Sequence, residues 1–134
     1  MMCLEGNPCT ATWKNNLYYN TSNIGYDMNG GVLTEGNNTF LNSSFPANFY
    51  PSSTNVKISS GAPNPFVNWT GYDFHLASSN PYWENGAVLS SPFNVDAVGV
   101  SRPAPNGVWN RGAYQLSGSS QTPTPPTSLT TTAR

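Results

Sequence analysis

Apolar residues in this chain come in short runs, each closed by Asn, Gly, Ser or Pro. Nowhere does an apolar residue recur at every third or fourth position through three turns. The pattern therefore predicts short strands joined by tight turns, and very little helix. Residues 11–20 (Ala-Thr-Trp-Lys-Asn-Asn-Leu-Tyr-Tyr-Asn) read as a strand beside an asparagine turn. Trp13, Leu17 and Tyr19 are expected to share an inward direction if the Asn pair bends the chain between them. Val32-Leu33-Thr34 reads as a strand after the turn cluster Asp27-Met28-Asn29-Gly30-Gly31. Asn55-Val56-Lys57-Ile58-Ser59 alternates so that Val56 and Ile58 face inward and Lys57 outward.

One unit recurs. Asn15-Asn16-Leu17-Tyr18-Tyr19-Asn20 is followed 22 residues later by Asn37-Asn38-Thr39-Phe40-Leu41-Asn42. That period falls in the range of short-repeat solenoids, whose units stack to bury faces that none buries alone. Residues 11–64 leave room for about two such repeats, fewer than the roughly three that stability needs. Either a longer parent supplies earlier rungs, or neighbouring copies stack on the open end.

The composition narrows the setting. Of 134 residues only 8% are charged, and the net charge is −1. No basic footprint for nucleic acid exists, nor a polybasic segment for an anionic membrane. No run approaches the roughly 20 apolar residues of a membrane helix. Aromatics make up 13%, which argues for a packed core rather than disorder. Residues 117–134 differ: this Ser/Thr/Pro-rich stretch has Leu129 as its one large apolar residue and reads as a linker or tail. The chain thus divides into an N-terminal segment 1–10, a β domain 11–116 and a tail 117–134. Met1-Met2-Cys3-Leu4-Glu5 lacks the basic start and apolar core of a signal peptide, so if the protein is exported, its signal is expected to lie outside this sequence or to have been removed. Cys3 and Cys9 either form a bridge, worth about 2 kcal/mol in the chain-entropy account, or remain two thiols. No second Cys pair or nearby His makes a zinc site of them.

From Pro65 onward a longer phrase emerges. Pro65, Phe66 and Asn68 are followed by Gly71, Asp73, Phe74 and Leu76, then by Ser79, Pro81 and Gly86. Asp96, Gly99, Arg102, Pro103, Gly107, Gly112, Ala113 and Tyr114 complete it. In order and spacing this resembles the C-terminal end of exported bacterial proteins of the pectate-lyase-like superfamily, which are right-handed parallel β-helices. The resemblance covers the middle and later part of the chain. It implies an all-β fold made of terminal β-helix rungs with an irregular closing segment; a small β-sandwich is the alternative. Where that family usually has Asp-Ile before Gly-Ala-Tyr-Glu, this chain has Asn110-Arg111 before and Gln115 after. Two acidic positions have become amides, which bears on ligand or ion roles more than on the fold.

Candidate chemistry is sparse. Asp73 and His75, two apart, share one face of a strand, opposite Phe74 and Leu76 in the core. Glu84 and Asp96 are carboxylates, but nothing in the sequence sets the separation a glycosidase pair needs. No carboxylate cluster suits calcium. Arg102 is read as fixing a closing turn by satisfying carbonyls or a carboxylate. Trp69, Tyr72, Tyr82, Trp83 and Trp109 form the candidate sugar platform, with core packing as the competing role. Glycosylation sequons start at Asn20, Asn37, Asn42 and Asn68.

Together these features predict an extracellular or cell-surface protein, structural or carbohydrate-contacting, with no evident active site, metal or cofactor. Its expected partners are a polysaccharide or cell-surface glycan, or other copies of itself, rather than nucleic acid or a membrane interior. Two further readings stand beside it. One is a fragment of a polysaccharide lyase or glycoside hydrolase with catalytic residues upstream; the other is a self-assembling filament or sheath subunit.

Overall fold

The computed structural model describes residues 10–22, 24, 31–45, 51–103 and 107–116. Cys3, Cys9, the Asn29-Gly30 turn and the tail 117–134 lie outside the described residues. The fold is all-β. Strands β1 (Thr10–Lys14), β2 (Leu17–Tyr19), β3 (Val32–Gly36), β4 (Thr39–Leu41) and β5 (Val56–Ile58) are followed by a hairpin of β6 (Phe66–Asn68) and β7 (Asp73–Leu76). A single 3₁₀ turn, Trp69–Gly71, joins the hairpin strands.

The first five strands stack in parallel. β1 pairs with β3, Thr10 opposite Val32. β2 pairs with β4, Leu17 opposite Thr39, and β4 with β5, Thr39 opposite Val56. The first two pairings follow the 22-residue repeat; the step to β5 is 17 residues. Each pass of the chain is thus a rung: β1 and β2 form the first, β3 and β4 the second, and β5 belongs to the third.

Asparagine is required at the corners for a physical reason. Asn15, Asn20, Asn37 and Asn42 bracket β2 and β4, and all four adopt φ between 48° and 58°. Among residues with a Cβ, Asn enters this left-handed region most readily, because its short amide can bond nearby backbone. Asn38 Oδ1 accepts the backbone N–H of Asn16 at 3.0 Å and its Nδ2 at 2.8 Å. Asn38 Nδ2 donates to the Trp13 carbonyl at 2.9 Å. One rung on, Asn55 Oδ1 accepts the N–H of Asn38 at 2.8 Å. Ser43 Oγ likewise accepts the N–H of Thr21 at 3.0 Å.

Alternation along β4 sends neighbouring side chains to opposite faces. Phe40 packs with Trp13, Tyr18, Ile24, Leu33 and Phe45. Leu41 packs on the other face with Leu17, Tyr19, Ile58, Ala62, Leu76 and Trp83. A parallel sheet buried on both faces is the usual outcome for that architecture. It also corrects the expectation for the first rung: Trp13 belongs to one core, Leu17 and Tyr19 to the other. The asparagine bend turns the strand rather than keeping one inward direction.

The second core is closed by residues 76–103 and 107–116. Trp83 is buried, and its indole N–H donates to the Ser78 carbonyl at 2.9 Å. Asn15 clasps Ala87 through two bonds of 2.7 Å, one donated and one accepted. Arg111, 4% exposed, reaches the carbonyl of Asn38 at 3.2 Å, the hydroxyl of Thr39 at 3.0 Å and the carbonyl of Asn85 at 3.4 Å. No carboxylate contacts it among the described residues, and its buried Nε–H has no acceptor. Arg102 fixes the final turn as its sequence context predicts, donating to the carbonyls of Asn110 and Gly112 at 2.8 Å each.

Asp96 anchors the same turn. Its Oδ1 accepts from the N–H groups of Val98 and Val100, at 3.0 and 2.8 Å, and Oδ2 from that of Gln115 at 3.1 Å. Burial by itself would raise its pKa; the three N–H donors and nearby Arg102 outweigh burial and hold it below the ordinary carboxylate value. The ionised form therefore stabilises the fold. That contribution is present above the unfolded pKa of about 3.9 and is lost as pH falls through the lower folded value. Stability should decline on acidification below about pH 4. Asp96→Asn should be less stable at neutral pH and show a flatter acid limb; denaturant melts across pH would reveal an unchanged profile if Asp96 has no such role.

Candidate functional site

The exposed aromatic surface begins at the hairpin. Asn68 sits at its turn, where Oδ1 accepts the N–H of Gly71 at 3.0 Å and the hydroxyl of Thr70 at 3.1 Å. A Cβ on Gly71 would lie 2.5 Å from the Asn68 amide, so any larger residue there would displace the side chain that caps the turn. The next residue, Tyr72, holds φ 61°, a left-handed conformation costly for an aromatic residue. It is 83% exposed, so the conformation brings no burial in return. A strained, solvent-facing aromatic points to a surface role.

Five aromatic rings run together here. Tyr19 meets Phe66 edge-on at 6.1 Å and Trp69 at 5.7 Å. Phe66 meets Phe74 at 5.3 Å, and Phe74 meets Tyr72 at 6.5 Å. Trp69 and Phe74 remain 40% and 41% exposed. Beside them lies a groove of about 370 Å³ whose lining includes Leu17, Tyr19, Thr21, Phe66, Phe74 and Tyr114. The Tyr18 hydroxyl turns away to the opposite core, where it accepts the Trp13 indole N–H at 2.8 Å, and the Thr21 hydroxyl donates to the Tyr19 carbonyl at 3.3 Å.

A polar pair flanks the groove. His75 stacks on Tyr114 at 4.2 Å, and its Nδ1 is 2.7 Å from Asp73 Oδ1. Hydrogen bonds from the His75 side chain and backbone N–H lower the Asp73 pKa. Both residues are solvent-facing, so the pair supplies hydrogen-bonding groups rather than stability.

The sugar-platform candidates separate cleanly. Trp69 and Tyr72 lie on this surface. Trp83 and Trp109 do not: they are 1% and 3% exposed, and the Trp109 indole N–H donates to the Pro103 carbonyl at 2.7 Å. Both take the competing role of core packing: Trp83 joins the Leu41 cluster, and the Arg102 guanidinium lies over the Trp109 ring at 5.8 Å. Tyr82 is half-buried against that core, and its carbonyl accepts the Thr39 hydroxyl at 2.6 Å. Phe74 also departs from expectation. Leu76 is core, whereas Phe74 joins the exposed rings. Tyr19, Phe66 and Tyr114 are gained, and only the long-range packing of hairpin on first rung assembles them.

The sequons occupy distinct settings. Asn20 is exposed. The Asn37 amide donates to the Asn85 carbonyl at 2.9 Å, Asn42 Oδ1 accepts from the Ala62 N–H at 2.9 Å, and Asn68 holds the hairpin turn.

No family model, curated protein or solved structure matches this chain. The functional reading therefore rests on the surface itself.

A second groove, of about 570 Å³, lies between the first rung and the loop carrying Phe93 and Val95. Its charged lining, Lys14, Asp96 and Arg102, is partly committed: Asp96 to three N–H groups and Arg102 to two carbonyls. Glu84 accepts a hydrogen bond from the Ser79 hydroxyl.

Proposed function

We propose that this chain is a short parallel β-helix stack, extracellular or at a cell surface, that contacts carbohydrate through the Tyr19–Phe66–Trp69–Tyr72–Phe74 surface. The observation that carries the reading is that contiguous band of part-exposed rings beside a groove whose lining includes Thr21, Tyr19 and Tyr114. A pyranose presents an apolar C–H face and a rim of hydroxyls. Aromatic faces match the first; Thr21 and the Asp73–His75 pair match the second. Parallel pairing at the repeat spacing favours a β-helix over an antiparallel sandwich. The low charge and the exposed Asn20 sequon are compatible with an exported setting.

Affinity electrophoresis and calorimetry against neutral and acidic polysaccharides test it. Binding is expected to at least one class. Trp69→Ala and Phe74→Ala should each weaken it roughly tenfold, about 1.4 kcal/mol, with the melting temperature held close to wild type. No binding across the panel, or binding indifferent to both substitutions, would remove the carbohydrate role.

A further inference from the structure

The ladder between rungs has a direction, and the first rung carries its acceptor half unused. In the second rung, Asn38 Oδ1 and Ser43 Oγ accept backbone N–H groups of the rung before, at Asn16 and Thr21. In the first rung, Asn16 and Thr21 occupy the same two places, one repeat earlier. The equivalence is chemical as well as positional: Thr21 Oγ1 donates to the Tyr19 carbonyl as Ser43 Oγ donates to that of Leu41. No described residue donates to Asn16 Oδ1 or Thr21 Oγ1.

The backbone repeats the message. Thr39 N–H bonds back to the Asn16 carbonyl, and the Asn20 N–H to the Leu41 carbonyl. Thr39 and Leu41 therefore face the first rung, and by strand alternation Leu17 and Tyr19 face off the stack. Among the described residues β2 has β4 as its one strand neighbour. It also carries none of the usual edge protections: its sequence, Leu17-Tyr18-Tyr19, holds no charge, proline or bulge.

At the other end of the stack, β5 presents the matching groups. Val56 N–H bonds to the Asn38 carbonyl, and the Ile58 carbonyl accepts from Asn42. Val56 and Ile58 thus face inward along the stack, and the N–H and C=O of Lys57 and the N–H of Ser59 face outward. The Lys57 ammonium lies over the Phe45 ring at 4.7 Å rather than across that edge.

We propose that the β2 edge of one copy receives the β5 edge of a second copy, in parallel and head to tail, continuing the rung-to-rung ladder between molecules. Leu17 N–H then bonds to the Asn55 carbonyl of the next copy, Lys57 N–H to the Leu17 carbonyl, and Ser59 N–H to the Tyr19 carbonyl. Asn16 Oδ1 and Thr21 Oγ1 take up N–H groups at the two corners. The surfaces that meet are different, so the contact is heterologous and generates an open row rather than a closed dimer. A net charge of −1 opposes the row only weakly.

Sedimentation velocity of the full chain across a hundredfold range of concentration tests the proposal. The sedimentation coefficient should rise without a plateau at dimer. Lys57→Pro removes an N–H that bonds to nothing among the described residues, so the variant should fold, as near-ultraviolet circular dichroism would verify, while association weakens at least a hundredfold. Thr21→Lys should weaken it from the other edge. Mixing the two variants should yield a species that stops at two copies, since each retains one competent edge. A wild-type chain that stays monomeric throughout overturns the proposal. So does a wild-type dimer that plateaus, or association unaffected by Lys57→Pro, because these point to a symmetric contact or a different surface.

Discussion

Asn38→Ala is expected to be among the most damaging single truncations in this chain. The residue is fully buried, and its side chain makes three bonds of 3.0 Å or less: from the Asn16 N–H, from Asn16 Nδ2 and to the Trp13 carbonyl. Truncation leaves the Asn16 N–H and the Trp13 carbonyl without that partner, each a cost of about 1–3 kcal/mol. A total loss of about 3–4 kcal/mol follows, or roughly 10 °C in Tm for a chain of this size. Asn38→Asp separates shape from donor capacity. It keeps an oxygen for Asn16 but turns a second toward the Trp13 carbonyl and toward Glu35 Oε2, now 3.4 Å from the amide nitrogen. Burial and Glu35 would raise the folded pKa of the new carboxyl above the unfolded value of about 3.9. The added penalty is absent below that value and grows as pH rises toward the folded pKa. Relative to wild type, the variant should therefore regain stability on acidification. Chemical denaturation at pH 4 and pH 7 measures both effects, and an Asn38→Ala loss under about 1 kcal/mol would mean that the amide ladder does not hold the rungs together.

A pair of substitutions at Arg111 should give unequal losses. Arg111→Ala removes a long buried side chain and leaves a cavity, with an expected cost of about 3 kcal/mol. Arg111→Met preserves much of the volume and should cost about 1 kcal/mol or less. The reason is that the acceptors do not depend on Arg111 alone. The Asn38 carbonyl also accepts from Val56 N–H, the Asn85 carbonyl accepts from Asn37 Nδ2, and the Thr39 hydroxyl donates to Tyr82. The guanidinium also carries an unsatisfied buried Nε–H, and burial lowers its pKa, so the charge sits there at a cost. Equal losses for the two variants would show that the hydrogen bonds, not the packing, hold the closing segment to the second rung.

The Gln115 position, where the amide departs from the glutamate of the resembling phrase, has a structural account. Its Nε2 donates to the Val108 carbonyl at 3.0 Å and to Asn110 Oδ1 at 2.8 Å, while Oε1 accepts the Asn110 N–H at 3.2 Å. A carboxylate accepts but does not donate, so this buried turn calls for an amide.

Much of the scaffold was legible in the sequence. The recurrence of Asn15-Asn16 at Asn37-Asn38 sets the register of the first two rungs, because left-handed corners restrict residue choice and stacked amides fix the spacing. Alternation around Lys57 places β5, and the scarcity of helical periodicity gives the all-β class. Those are local constraints, written in the residues that obey them. Tertiary structure decided which aromatic rings face solvent. Trp69, Trp83 and Trp109 all lie outside the strands, yet Trp83 is buried against the sheet and Trp109 beneath Arg102 within the closing segment, while Trp69 stays part-exposed at the hairpin. Phe74 and Leu76 share a strand parity, and a hairpin irregularity together with the reach of the first rung sends one to the groove and the other to the core. Exposure at such positions depends on what packs from far along the chain, and no local pattern encodes it.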